Sequence, residues 1–238
     1  MQPSSKLVVR NILQQEQPKL VLDAPCGKGW IAAALDEDSV VDGIDLYATP
    51  RDGFRTIMKH DLEQGLPTEL TDYDCVCCCE GIEHFGNPRR FFQAAHNVLK
   101  DDGLLIVTTP NVWNPESRLQ FLFKGFLPGF PCLAGRIEPG THMHITPWSY
   151  PQLYLYLKLE GFVDIELHTE ELSRARHVWE YPFGVPQKIY SRNRQRKAKS
   201  ADEREFWKTA GSNASVYGRH LIVTARKPAT AQTHRAAA

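Results

Sequence analysis

The chain has 238 residues, 42% of them hydrophobic and 24% charged, enough to bury a sizeable core in one domain carrying insertions. That excludes an intrinsically disordered protein and a miniature disulfide-stapled scaffold. The 28 Lys and Arg residues balance 28 Asp and Glu, so no chain-wide field draws the protein to nucleic acid or anionic lipid, and any such attraction is local.

Residues 1–20 hold no apolar stretch fit for a signal-peptide core, and a spanning helix needs about 20 predominantly apolar residues, so a cytoplasmic protein is expected. Four of the six cysteines crowd into Cys75, Cys77, Cys78 and Cys79, which suits a reducing compartment better than a disulfide framework. Residues 5–16 read as a leading helix, capped by Ser5 and burying Leu7, Val8, Ile12 and Leu13. Leu20 to Ala24 reads as a strand, Pro25 to Gly29 as a Gly-bearing loop, and Trp30 to Leu35 as helix.

Val40 to Ile44, Thr56 to His60, Tyr73 to Cys79 and Leu104 to Thr109 are further strands. A helix from Pro88 to Leu99, capped by Asn87, separates the last two. Alternating strands and helices imply a doubly wound parallel sheet. A break of about 35 residues after Pro110 has a length that is usually functional. A helix then opens at Thr146 with Pro147 in its first turn and stops before Gly161. Val163 to His168 and Arg219 to Ala225 complete the sheet. The expected domain spans 1–226, with core segments 16–110 and 146–226, inserts at about 111–145 and 170–216, and a disordered tail over 227–238.

The chemistry gathers at strand ends. Asp23 closes the first strand before Cys26, Gly27 and Gly29, a loop whose acid repels a pyrophosphate and suits a ligand bearing ammonium and sulfonium. Asp45 follows 22 residues later, near the offset at which nucleotide-binding folds place a carboxylate on ribose hydroxyls. Asp61 ends the third strand and can accept from an adenine amino group. Singly, each Asp is more often a turn or capping residue.

The stretches VLDAPCGKG, VVDGIDL, HDLEQGLP, YDCVCCCEGIEHFGNP and NVLKDDGLLIVTTPN together resemble the class I S-adenosylmethionine-dependent methyltransferases, particularly the group with ubiquinone-pathway O-methyltransferases. The resemblance spans residues 20–111 and implies a Rossmann-like, mostly parallel seven-stranded α/β sheet with helices on both faces. S-adenosyl-L-methionine is the implied cofactor. Asp23, Gly27 and Gly29 would hold its methionine end, Asp45 the ribose, and Asp61 with Leu62 the adenine, with Cys26, Leu46 and Glu80 as further cofactor-binding residues. Two departures stand out: Pro25 replaces the usual first glycine, removing a backbone donor, and Asp101-Asp102-Gly103 replaces the commoner Lys-Pro-Gly-Gly turn.

Glu80, Glu83 and His84 form a Glu-x-x-Glu-His pattern that one helical turn would gather on one side. His84 is the candidate general base; orienting the loop is its equally weighted structural role. The pattern also resembles the divalent-ion site of some ubiquinone-pathway and small-RNA methyltransferases, where His142 or His144 could add a ligand, although no metal is assigned. The cysteine run alternates faces of a strand and reads as core filling rather than a zinc site.

Two readings of substrate stay open. The Phe-rich segment 118–130 is a lid, an apolar foot for peripheral membrane contact, or simply packed insert. Trp179, Tyr181 and Phe183 precede a basic run from Arg192 to Lys199 suited to phosphate or carboxylate. A small-molecule or glycan acceptor is expected, with oxygen methylation by a monomer or homodimer. RNA ribose methylation with a divalent metal, and a non-catalytic S-adenosylmethionine-binding module, are the alternatives; overall neutrality lowers the nucleic-acid reading.

Overall fold

The computed structural model describes residues 3–129, 143–170 and 173–229. Short β-branched and Cys-rich runs form seven strands: β1 Leu20–Asp23, β2 Val40–Asp45, β3 Thr56–Lys59, β4 Tyr73–Cys79, β5 Leu99–Pro110, β6 Val163–Leu167 and β7 His220–Arg226. They lie in one sheet in the order β3-β2-β1-β4-β5-β7-β6. The first five are mutually parallel, whereas β7 runs antiparallel to both β5 and β6. Strand order reverses between β1 and β4, which opens a crevice at their carboxyl ends.

Helices cover both faces. On one lies α1 (Pro3–Glu16), whose Val9, Ile12 and Leu13 pack with Val21, Ile106 and Ile222. On the other, α2 (Pro88–Val98) and α4 (Tyr150–Leu159) bury Phe91, Phe92, Leu153 and Leu157 against Val76, Leu105 and Val223. Such closely packed apolar faces set the strand register, because a one-residue slip would turn every buried side chain outward. Cys75, Cys77 and Cys79 enter the α1 face and Cys78 the opposite one, as their alternation requires. All four, and Cys26, are buried free thiols.

Several local expectations are corrected. Helix α1 starts at Pro3, so Ser5 is not its cap, and the buried stripe is Ser5, Val9, Ile12 and Leu13 while Leu7 faces solvent. The helix expected over Trp30 to Leu35 shrinks to a 3-10 turn, Ala32–Ala34. Leu35 is extended and packs on the cluster that α1 already covers, leaving little sheet for a longer helix. Asn87 makes no side-chain cap; instead Gly86 and Asn87 donate backbone N–H groups to the Glu63 carboxylate, at 2.5 and 3.2 Å. Helix α4 is capped by Ser149 rather than Thr146, with Pro151 in its first turn, and Gly161 follows its end at φ +87° as expected.

Strand β5 begins at Leu99, five residues before the expected Leu104. The inserts are also more regular than their composition suggested. The first contributes α3 (Pro115–Lys124), and the second α5 (Glu180–Arg196), α6 (Ala201–Ala210) and α7 (Asn213–Tyr217). The tail expected from 227 onward lies outside the described residues beyond 229. No helix among the described residues is long and apolar enough to cross a membrane.

Candidate functional site

The crevice is a cavity of about 520 Å³, within the range of small-molecule sites. Loops after four strands build its walls: Pro25, Cys26, Gly27 and Lys28 after β1; Asp45, Leu46 and Tyr47 after β2; Asp61, Leu62 and Glu63 after β3; and Cys79, Glu80, Gly81, His84 and Phe85 from the end of β4 onward. Lys6 of α1, Trp30, Met143 and Ile145 close the rest. Of the sequence-derived site residues, Cys26, Gly27, Asp45, Leu46, Asp61, Leu62, Glu80 and His84 therefore meet in one place. Asp23 and Gly29 do not line the cavity.

Asp45 ties two of these loops together. Its Oδ2 accepts the Gly27 N–H and its Oδ1 the Tyr47 N–H, both at 2.9 Å. Gly27 supports this at φ +48°, a conformation a side chain would strain. A carboxylate offers about four acceptor positions, so Asp45 retains capacity for a pair of ligand hydroxyls. Asp61 spends one oxygen on the Glu63 N–H, at 3.0 Å, as the cap of the turn Leu62–Gln64, while still facing the cavity.

Asp23 lies directly under the first loop, nearly inaccessible, and neither carboxylate oxygen has a hydrogen-bond partner among the described residues. Burial and then the charge of Asp45 raise its pKa well above the ordinary carboxylate range. Burial followed by Asp23 and Asp45 likewise pushes the Cys26 thiol up to about 11. The acids beside the loop thus outweigh the Arg51 guanidinium, which donates to the Gly27 carbonyl. An orphaned buried acid under a backbone-lined cavity fits a ligand with a cationic end and a ribose, such as S-adenosylmethionine, and opposes a pyrophosphate.

The far wall turns on Gly81. A Cβ there would lie 2.3 Å from the Pro25 ring, so only glycine lets the β4 loop close against the β1 loop. The preceding Glu80 adopts φ +55°, a conformation uncommon outside glycine and one that clusters at functional sites. Its Oε1 accepts from Thr108 at 3.2 Å, and its Oε2 lies 3.6 Å from His220 Nε2. Burial raises the Glu80 pKa, but His220 and Thr108 outweigh it and hold the group below its usual range. That left-handed residue precedes the 3-10 turn Ile82–His84, so the expected gathering of Glu80, Glu83 and His84 by helical spacing does not occur.

Glu83, His84 and His144 instead bring one ligand atom each to within 4.8 Å of one another. The Glu83 carboxyl accepts from Thr109 Oγ1 at 3.0 Å; burial and then Glu80 push its pKa up to about 8. His84 Nδ1 is 2.7 Å from the Met143 carbonyl. Because a carbonyl only accepts, Nδ1 carries the proton, and the neutral ring then presents Nε2 as its acceptor. The rings of His84 and His144 meet edge to face at 5.1 Å. His142 lies outside the described residues.

Sequence reasoning missed Lys6, Trp30, Tyr47, Met143 and Ile145 as walls, and His220 as the partner of Glu80. The segment holding His142 and His144 drew attention through its histidines alone, whereas Met143 and Ile145 line the cavity. Lys6 and His220 carried no local signal, since only the fold brings α1 and β7 to the end of β4.

A family model described as a methyltransferase domain matches residues 4–167, more than half of the chain. The ubiquinone biosynthesis O-methyltransferase of Glaesserella parasuis is 31% identical over 111 residues, covering 39% of this chain and 46% of that protein. Its counterpart from Pseudomonas syringae pv. tomato is 30% identical over 138 residues, covering 52% and 56%. The chain thus spans about half the length of these curated relatives. Among solved structures, a SAM-dependent methyltransferase from Archaeoglobus fulgidus superposes with a TM-score of 0.52 at 17% identity, over 93% of this chain and 94% of that one. The 1,6-didemethyltoxoflavin-N1-methyltransferase of Burkholderia thailandensis, solved with S-adenosylhomocysteine, gives 0.52 at 15% identity over 94% and 79%. These two likenesses establish the fold. With the family match over residues 4–167, they lead to one assignment: the chain belongs to the class I S-adenosylmethionine-dependent methyltransferases.

Proposed function

We propose that the protein transfers the methyl group of S-adenosylmethionine to an oxygen of a small molecule or of a glycan or lipid-linked sugar. The observation that carries this reading is the cavity itself: Asp45 and Asp61 on its walls, the buried Asp23 beneath its floor, and the His84 imidazole in its lining. Oxygen is favoured over nitrogen or carbon by the O-methyltransferase relatives.

When bound, S-adenosylmethionine supplies an activated methyl on a sulfonium. The work left to the chain is alignment, water exclusion and, for a poorly acidic hydroxyl, removal of a proton. Asp45 takes the ribose hydroxyls while keeping the Gly27 loop in place. The left-handed Glu80 and the Gly81–Pro25 contact hold the β4 loop against the methionine end. Phe85, Met143 and Ile145 give apolar walls that keep water off the reacting atoms. His84 accepts the acceptor's proton at Nε2, with the Met143 carbonyl fixing its tautomer through Nδ1.

A second reading follows from Glu83, His84 and His144, whose mixed oxygen and imidazole donors fit Mn²⁺ or Zn²⁺ better than Mg²⁺. There the cation would orient and acidify the acceptor hydroxyl in place of a free imidazole.

The test is transfer of label from methyl-labelled S-adenosylmethionine into metabolite and envelope-glycan fractions, followed by mass spectrometry of the product. His84→Asn is expected to lower turnover by roughly 100-fold, the scale of general-base catalysis, with little change in donor affinity. Loss of activity on chelation, restored by Mn²⁺ and absent in His144→Ala, would select the metal reading. Donor binding without transfer to any fraction would leave a binding module and overturn the enzyme.

A further inference from the structure

Nineteen large apolar side chains are exposed among the described residues, and twelve of them fall within two segments, 113–126 and 178–190. These segments are neighbours: α3 packs against α5, and Arg118 of α3 donates to the Phe183 carbonyl of α5 at 3.0 Å. The end of α3 presents Phe121, Leu122 and Phe123 in succession, with Leu122 73% and Phe123 79% exposed. Three consecutive apolar residues occupy most of a helical turn, so that end projects from the body on several sides. A monomer in water rarely shows so concentrated an apolar patch unless something covers it.

Helix α5 adds the charge. It buries Glu180, Gly184 and Ser191. Tyr181, Val185, Ile189, Arg192 and Arg196 recur at helical spacing on the outward side, where they are exposed. The amino-terminal half of that side is apolar and the carboxyl-terminal half basic. From Tyr181 to Lys199 there are six cations and no acid, in a chain whose net charge is zero. Arg194 pairs with Glu203 of α6 at 3.7 Å, and the other cations concentrate positive charge on the helix that carries the apolar patch.

We propose that the exposed faces of α3 and α5 form a docking surface by which the protein lies on an anionic lipid membrane, the Phe and Leu side chains entering the acyl boundary and the basic end of α5 meeting the headgroups. Two features of the surface choose this occupant. A second copy of the chain, related by twofold symmetry, would bring basic ends together or leave the cations unmatched. An RNA would use the aromatic rings and cations but gain little from Leu122, Val185 and Ile189, which offer no flat face for a base. Aliphatic and aromatic side chains beside a basic face are the composition of a helix lying in a membrane interface. The surface stands independently of the cofactor cavity, so membrane binding and methyl transfer can fail separately.

The experiment is co-sedimentation of the full chain with phosphatidylcholine vesicles and with vesicles of the same lipid mixed with phosphatidylglycerol. Binding is expected to the anionic vesicles, to weaken as salt rises, and to be slight on the neutral ones. Leu122→Ser/Phe123→Ser removes the apolar contact. Arg196→Glu/Lys197→Glu reverses two charges, each worth roughly fivefold in affinity near an anionic surface. Both variants should lose at least tenfold in vesicle affinity while melting like the parent, since all four side chains are solvent-exposed. Parent protein that remains in the supernatant with both vesicle types overturns the proposal, as does unchanged binding by both variants. A dimer in sedimentation velocity that Leu122→Ser/Phe123→Ser dissociates would assign the face to a second copy. Tight binding of single-stranded RNA without vesicle binding would assign it to nucleic acid.

Discussion

Replacing Asp45 by Asn is the sharpest perturbation of the cofactor cavity. The parent carboxylate accepts one backbone N–H from each of two loops, Gly27 and Tyr47, at 2.9 Å. An amide has one oxygen, so its NH₂ must face one of those donors, releasing either the glycine loop or the turn after β2. It also removes the negative charge that would receive the ribose hydroxyls. A hydrogen bond to a charged group contributes about 1.5–3 kcal/mol, so losing the equivalent of one such bond should weaken S-adenosylmethionine and S-adenosylhomocysteine alike by roughly 10- to 150-fold. Calorimetric titration with both ligands measures this directly, with Asp38→Asn, an exposed position outside the cavity, as the control. Affinities of Asp45→Asn indistinguishable from the parent would refute the role given to this carboxylate and, with it, the orientation of the donor in the cavity.

Three further outcomes can be checked by melting and titration. Gly81→Ala places a Cβ 2.3 Å from the Pro25 ring, so the two loops must part; a lowered Tm together with weakened donor binding is expected. Arg219 joins the fully buried Glu180, at 2.7 Å, to Glu116 at the start of α3, at 3.1 Å. Arg219→Met leaves Glu180 without its cation, which costs about 3–5 kcal/mol and should lower the Tm by roughly 6–20 °C. The Asp74 carboxyl accepts the backbone N–H groups of Leu20 and Lys19 and pairs with Lys100; burial alone would raise its pKa, but these partners outweigh it and hold it below the usual range. Its stabilising contribution is therefore present above the unfolded-state pKa of about 3.9 and lost as pH falls through the lower folded value, so the Tm gap between parent and Asp74→Asn should be widest near neutrality and narrow in acid.

The sheet was largely legible because its signals are local and redundant. Runs such as Tyr73 to Cys79 are too short and apolar for a surface helix, and parallel strands buried on both faces read as continuous hydrophobic runs. The acids at strand ends were legible for the same reason, since position in a βα unit fixes where Asp45 and Asp61 come to rest. What escaped was tertiary. Nothing near Leu35 says that α1 will already occupy the face a longer helix would need. Nothing near Glu80 says that its backbone will turn left-handed and break the spacing to Glu83. The second insert showed no helical period because α5 hides little of itself: its buried positions are Glu180, Gly184 and Ser191, an almost invisible stripe in any reading based on hydrophobic period.

Asp23 reveals a conflict between stability and binding that can be measured. In the folded chain its carboxyl is nearly inaccessible, lacks a hydrogen-bond partner among the described residues, and has its pKa raised first by burial and then by Asp45. The sign is opposite to that of Asp74. Above the unfolded-state pKa the unfolded chain releases this proton readily while the folded chain resists, so the group destabilises the fold increasingly as pH rises toward its folded value. Asp23→Asn has no charge to bury and no proton to hold on folding, so the ligand-free variant should melt above the parent at neutral pH. That gain should fade in acid. The same substitution removes a group that can ionise under the loop when the donor's cationic end arrives, so the further rise in Tm on adding S-adenosylmethionine should shrink. A variant that is no more stable without ligand, and gains as much from ligand as the parent does, would mean that Asp23 is an ordinary buried side chain. Stability gained where ligand response is lost would identify the strand-end acid as a cost the fold retains for the sake of its cofactor.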